Sequence, residues 1–276
     1  MKRSRIPGRI LSLLVMLFLY APIIIMIIFS FNNNPSKSRT VWTGFTFDWY
    51  IKLFGDAPVL NALYTSLVLA LLSAAIATVI GTISAIGIYG MKPRARRAVL
   101  SLNNIPVVNP EIITGVSLSL VFILFVKGMS SIGIAVELGF WSLLIAHITF
   151  NVPFVILSVL PKLRQLSKNV YEAALDLGAT PFKAYMKVII PEIMPGIISG
   201  AVIAFTMSID DFIISYFTAG MSVQTLPMYI YSMTRKRVSP EINALSSLLF
   251  VSVLLLLLII NIIQVKDKKR SEINRR

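Results

Sequence analysis

Cysteine is absent from the 276 residues. Disulfides, thiolate metal sites and cysteine nucleophiles are therefore excluded, and the redox compartment stays open. Charge is scarce: 14% of residues are Asp, Glu, Lys or Arg, against roughly 25% in a soluble domain. Acidic residues are the scarcer sign, 12 against 26 basic, and His147 is the one histidine. No G-x-x-x-x-G-K-[ST] run occurs, so the chain carries no P-loop of its own.

What fills the chain instead is apolar: 56% of residues are hydrophobic, in long runs that recur along its whole length. That pattern is a polytopic, all-α membrane protein rather than a soluble domain with an anchor. A net charge of +14 could suggest nucleic acid. In a membrane protein it reads as cationic cytoplasmic loops, so lipid is the expected surroundings and nucleic acid is not a partner. Six segments are long enough to cross, near Ile10–Phe31, Leu60–Tyr89, Val99–Val126, Leu138–Leu160, Ile193–Ala219 and Ala244–Val265. The first follows a basic lead. Its apolar run is too long for a signal peptide and no small-x-small site follows, so a retained span is expected. One transmembrane domain over residues 1–276 accounts for the whole pattern.

The basic residues predict orientation. With both termini inside, inner segments hold nineteen of the 26. These are Lys2, Arg3, Arg5, Arg9, Lys92, Arg94, Arg96, Arg97, Lys162, Arg164, Lys168, Lys183 and Lys187, with Lys266, Lys268, Lys269, Arg270, Arg275 and Arg276 in a basic tail over about 266–276. Outer segments hold Lys37, Arg39, Lys52, Lys127, Arg235, Lys236 and Arg237. The excess on one side predicts N-in/C-in. Small residues predict close helix packing: Ala70, Ala74, Ala77, Gly81 and Ala85 near one face of span two, and Gly196 with Gly200 at the start of span five.

Between spans four and five lies an inner loop, about 161–192. It predicts a helix over Ser167–Leu177, with Ser167 as N-cap and Gly178 at the C′ position. Glu172 and Asp176 point outward one turn apart, and Val170, Ala173, Ala174 and Leu177 are expected to be buried. Thr180 then caps a second helix with Pro181 at its first position, ending at Pro191. The run "EAALDLGATPFKAYMKVIIP" resembles the EAA loop of ABC importer permeases. The matching positions are Glu172, Ala173, Ala174, Gly178 and Pro191. Val188 and Ile190 stand where the family has Ile and Leu. The resemblance implies the type I importer fold in a bacterial inner membrane, with the first short helix docking on a separate ATPase dimer that holds ATP and Mg. It also implies a second permease and an extracytoplasmic substrate-binding protein. The chain itself would be no enzyme and would hold no cofactor or metal.

Further runs, "GFTFDWYIKLF", "VNPEIITGVSLSLVF", "SIDDFIISYFTAG" and "TLPMYIYSMTRKRVSPEINAL" among them, resemble the permeases of spermidine/putrescine importers over nearly the whole chain. The resemblance implies a polyamine importer with a PotB-type partner permease. Other importer substrates, such as thiamine, a phosphonate or a sugar, are alternatives. So, from another class, is an ATP-independent channel or secondary transporter, which the EAA loop disfavours.

A polycation needs anionic or aromatic partners along a dry path. On a continuous span five, Gly200, Ala204, Ser208, Asp211 and Ser215 share one small polar face, and Asp210 lies about 100° away with Ser199, Ile203 and Thr206. One carboxylate is expected to face the pathway and the other to meet the partner permease or helix-end donors. Asp211, with Ser208 on the polar face, is the favoured pathway residue. Glu111 follows Pro106 and Pro110, which interrupt span three. The resemblance implies a deep cation contact for it; the alternative is the carboxylate satisfying a helix start capped by Asn109. Trp49 has two readings: a cation–π contact for an ammonium, or a member of the interfacial aromatic belt.

Overall fold

The computed structural model describes residues 6–33, 41–167, 169–236 and 240–273. Lys2, Arg3, Arg5, Lys37, Arg39, Lys168, Arg237, Arg275 and Arg276 of the orientation count lie outside them. Among the described residues the structure is helical, with one isolated bridge between Asn32 and Phe45 and no strand. In chain order the helices are α1 (Ile6–Phe29), α2 (Asp48–Gly55), α3 (Ala57–Gly90), α4 (Pro93–Val108), α5 (Glu111–Ser131) and α6 (Phe140–Gln165). Then follow α7 (Asn169–Asp176), α8 (Pro181–Ala184), α9 (Ile190–Ile209), α10 (Ile213–Thr218), α11 (Leu226–Lys236) and α12 (Pro240–Ile273). Five helices are long and apolar enough to cross a membrane, and a shorter apolar stretch, Glu241–Leu255, lies in α12. The expected sixth span falls within that helix.

The interruption expected at Pro110 is present, while one further break and one continuation differ from the sequence expectation. The third crossing helix starts at Glu111, not Val99, because Pro110 removes an N–H and forces Asn109 into extended backbone (ψ 143°). The segment before it is a separate helix, α4, opened by Pro93. Arg96 of α4 donates to the carbonyls of Ile88 (3.2 Å) and Met91 (3.1 Å), and also to that of Tyr89, closing the end of α3. The fifth crossing helix stops at Ile209 rather than running to Ala219. Pro191 does not end the helix before it. A π-helical turn at Tyr185–Ile189, where Ile190 N–H reaches back to Tyr185 O, carries the chain through the proline into α9.

The contacts group the described chain into two compact units, within Met1–Asn61 and Tyr229–Lys269, and within Ala62–Met228 and Arg270–Arg276. In the first, Asn32 organises the connection that follows α1. Its side chain donates to Val41 O (2.8 Å) and accepts from Thr43 N (2.9 Å). Phe31 stacks on Phe45 (5.3 Å) and meets the Tyr50 ring (5.1 Å).

In the second, α6 is the central helix. Its Val155 is fully buried, and small residues let two helices reach it. A Cβ on Gly81 of α3 would lie 2.7 Å from Val155 Cβ, and one on Gly200 of α9 would lie 3.2 Å from Val155 Cα. A Cβ on Gly196 would lie 2.7 Å from Lys162 Cγ. The predicted small face of α3 is likewise buried, with Ala70, Ala77 and Ala85 fully enclosed. In lipid such contacts hold helices by dispersion rather than by water exclusion. Apolar side chains on α1 and the outer face of α5 stay exposed in the single chain, as in helices that face lipid or another subunit.

Candidate functional site

Two interrupted helices meet in the second unit. The first interruption separates α4 from α5. Pro110 occupies the N-cap position with φ −54° and ψ 135°, and no side chain caps α5. Asn109, expected to do so, is instead the last residue of α4's end, its N–H on Ile105 O at 3.1 Å. Glu111 is thus the first residue of α5 and is exposed.

The second interruption is Asp210–Asp211–Phe212. No glycine or proline makes it; the Asp211 side chain does. Its Oδ1 accepts from Ile214 N at 3.2 Å and its Oδ2 from Ser215 N at 2.8 Å. Those N–H groups belong to the first turn of α10 and have no helical partner, so a carboxylate is their natural acceptor. Asp211 is buried, 8% exposed. His147 Nε2 stands 3.5 Å from its Oδ2 and 3.1 Å from Ser215 Oγ.

Asp210 has the opposite surroundings. It ends α9 with φ −102° and ψ −1° and is exposed. α10 packs on α5 at Gly115, where a Cβ would approach Phe217 to 3.2 Å and the Ile213 carbonyl to 3.5 Å. That packing brings Glu111 close enough to Asp210 to interact electrostatically. Each break thus exposes one carboxylate, Asp210 or Glu111.

The sequence face of Gly200, Ala204, Ser208, Asp211 and Ser215 does exist, but it is the packing face: all five are buried. Ser208 is 3% exposed, accepting from Asn151 Nδ2 at 2.7 Å and lying 2.9 Å from Ser73 Oγ. Asp211 and Ser208, expected from their polar face to favour the pathway, are thus both buried against α6 and α3 in the single chain. A small polar face in a membrane helix serves close approach as readily as it serves solute. His147 and Asn151 had no role assigned from sequence. Their signal is two hydrogen-bonding residues one turn apart in an apolar span.

Trp49 belongs to the first unit. Its Nε1 donates to Asn32 O at 2.9 Å, and Lys52 Nζ lies 4.8 Å over its ring. The indole edge is thereby fixed, and one ring face already meets the chain's own ammonium.

The inner loop forms the expected helix–glycine–helix. Gly178 has φ +83°. Its N–H reaches Leu175 O (2.9 Å) and Ala179 N reaches Ala174 O (3.1 Å), the bond pair of a Schellman motif. Thr180 Oγ1 accepts from Lys183 N. Glu172, Ala173 and Asp176 are exposed and Ala174 is buried. Leu177 and Ala173, expected inside, face outward, Leu177 at 89% exposure. α7 is short and rests on Tyr185 through Tyr171 (rings 5.1 Å apart), which leaves the Leu177 end uncovered.

The chain matches the family described as "Binding-protein-dependent transport system inner membrane component" over residues 77–269. It is 39% identical over 253 residues to the spermidine/putrescine transport system permease protein PotC of Escherichia coli (strain K12), covering 92% of this chain and 91% of that one. It is 40% identical over 247 residues to the putrescine transport system permease protein PotI of the same strain, covering 89% and 86%. Among solved structures, a bacterial ABC transporter that imports the acidic polysaccharide alginate superposes with a TM-score of 0.69 at 20% identity, covering 95% of each chain.

Proposed function

The chain belongs to the binding-protein-dependent transport family of inner-membrane permeases, and on that premise we propose that it is the polyamine-conducting half of an ABC importer for spermidine or putrescine. As a permease of this family it is a transport subunit, and ATP hydrolysis resides in a separate subunit. It works with that ATPase, a second permease and a substrate-binding protein. The names of its relatives support a polyamine as the solute and a PotB-type chain as the partner permease. ATP and Mg belong to the ATPase dimer. The distribution of basic residues supports both termini in the cytoplasm, and the exposed α7 with its glycine turn is then the element that docks on the ATPase.

The observation that carries the reading is an exposed carboxylate at each of two helix breaks, with α10 packed on α5. Asp210 and Glu111 are exposed there, at the end of α9 and the start of α5. Interrupted helices mark solute sites in transporters. A polyamine ammonium leaving water needs such carboxylates. Asp210 takes the role of first contact and Glu111 that of its neighbour, while Asp211 and Ser208 hold the framework.

The test is uptake by reconstituted complexes carrying Asp210→Asn or Glu111→Gln, at matched subunit amounts. Each lost cation contact is worth about 1–3 kcal/mol, or roughly 5- to 150-fold in uptake. Spermidine uptake should fall more than putrescine uptake, since the longer amine carries one more charge to be matched. Full uptake in the double variant removes the pathway role.

A further inference from the structure

One turn apart on α6, His147 and Asn151 are both buried, at 1% and 0% exposure. They do not bind the same partner. Asn151 Nδ2 donates to the Oγ of Ser208, the next-to-last residue of α9, at 2.7 Å. His147 Nε2 meets the Oγ of Ser215, in the first turn of α10, at 3.1 Å, and stands 3.5 Å from the Asp211 carboxylate that caps that turn. A single rigid helix therefore grips the chain on both sides of the break, and Asp210 is the exposed residue between the two grips.

We propose that His147 and Asn151 are positioning residues that set where the Asp210 carboxylate stands, a role that rests on Asp210 being the cation contact. The argument has two parts. First, no proline ring fixes a dihedral in the break, and the Asp211 cap ties only the start of α10, so contacts from α6 help set the direction of α10 relative to α9. Apolar packing fills space but is non-directional. Two hydrogen bonds at fixed spacing on one helix define both position and rotation. Second, the pair is an expensive way to fill a core. His147 Nδ1 and Asn151 Oδ1 are buried without a hydrogen-bond partner, and such orphaned atoms destabilise a fold where leucine would not. Residues kept for stability alone would be apolar. Residues kept for direction must be polar.

The experiment uses the absence of native cysteine. Asp210→Cys is placed in the otherwise cysteine-free chain, assembled with its partner subunits, and its modification by 2-aminoethyl methanethiosulfonate is timed. The same clock is run with His147→Leu, Asn151→Leu and His147→Gln added. The Leu variants should change the rate about 10-fold, the scale of one lost directional bond. His147→Gln, which keeps an N–H donor, should restore it to within about 3-fold. With Asp210 in place, the Leu variants should raise the KM for spermidine about 10-fold while kcat is retained, and Gln should rescue.

Unchanged labelling and unchanged KM in both Leu variants overturn the proposal, as does Gln behaving like Leu. If the Leu variants fail to insert, Ser215→Ala carries the same readouts. It removes the hydroxyl that His147 meets while the Ser215 N–H stays on Asp211, and an unaltered labelling rate there also overturns the proposal. The underlying reading fails separately: Asp210→Asn without effect on uptake removes the cation role, whereas the labelling clock still reports the grip.

Discussion

Adjacent aspartates with opposite surroundings predict opposite phenotypes. Asp211→Asn alters a buried cap. One side-chain oxygen survives to accept from Ile214 N or Ser215 N, now 3.2 and 2.8 Å from the carboxylate, but the new amide turns a donor toward the other N–H. A hydrogen bond to a charged group contributes about 1.5–3 kcal/mol, and a buried donor left facing a donor adds about 1–3 kcal/mol. The expected loss of about 2.5–6 kcal/mol is a large share of a native protein's stability. Asp211→Asn should therefore lower subunit yield and the midpoint of thermal inactivation in detergent, and Asp211→Ala, which loses both bonds, should lower them further. Asp210→Asn touches an exposed group and should leave both quantities within error while reducing uptake. The assay compares yield, heat stability and uptake per assembled complex for the three variants. The reasoning is refuted if Asp211→Asn assembles and resists heat like the parent yet loses uptake as Asp210→Asn does, because the carboxylate would then be acting on solute and not on α10.

Gly81→Ala should destabilise by about 1–3 kcal/mol, since its methyl would stand 2.7 Å from Val155 Cβ and force α3 from α6, whereas Gly87→Ala on the same helix meets nothing within 4 Å and should be neutral or stabilising by up to about 1 kcal/mol; equal thermal midpoints for the two would contradict the packing. Gly178→Asp puts a side chain on a residue at φ +83°, so transport and substrate-stimulated ATP hydrolysis should fall together while insertion survives; near-normal transport would separate this loop from docking. Single cysteines at Ser167 and Ser271 should label only after permeabilisation and those at Ser36 and Ser239 from outside, the latter two lying outside the described residues; labelling of Ser167 from outside reverses the orientation.

Features with a local covalent cause were legible in the sequence. Pro110 announces the start of α5 because it lacks an N–H and restricts Asn109. Gly178 announces the positive φ of the Schellman turn, and Gly81, Gly196 and Gly200 announce close approach. Each is decided within a few residues. The break at Asp210–Phe212 has a local part and a tertiary one: Asp211 caps α10, and α6 supplies His147 and Asn151 beside it. Its local signal was present, since aspartate is among the strongest N-cap residues, but a strongly apolar window outweighs one cap in any reading of periodicity. Leu177 fails for a similar reason. Its spacing matches the face of Ala174, but α7 ends before a second layer covers it.

The break also resolves how one short segment can carry two carboxylates in a membrane. In a continuous helix every backbone N–H near Asp211 would be satisfied already, and both charges would need partners from elsewhere. Ending α9 at Ile209 and restarting at Ile213 releases N–H groups on one side and carbonyls on the other. The freed N–H groups of Ile214 and Ser215 answer the Asp211 charge at 3.2 and 2.8 Å. The freed carbonyls of α9's last turn lie on the Asp210 side, where helix ends favour cations and not anions. Asp210 keeps its own backbone N–H as a local donor, while the like charges of Asp211 and, less strongly, Glu111 bear on it. The same interruption buries and satisfies one aspartate and leaves its neighbour exposed. On the proposed reading, a passing polyamine uses that unequal division: a fixed, buried Asp211 holds the geometry, and the exposed Asp210 supplies the attraction.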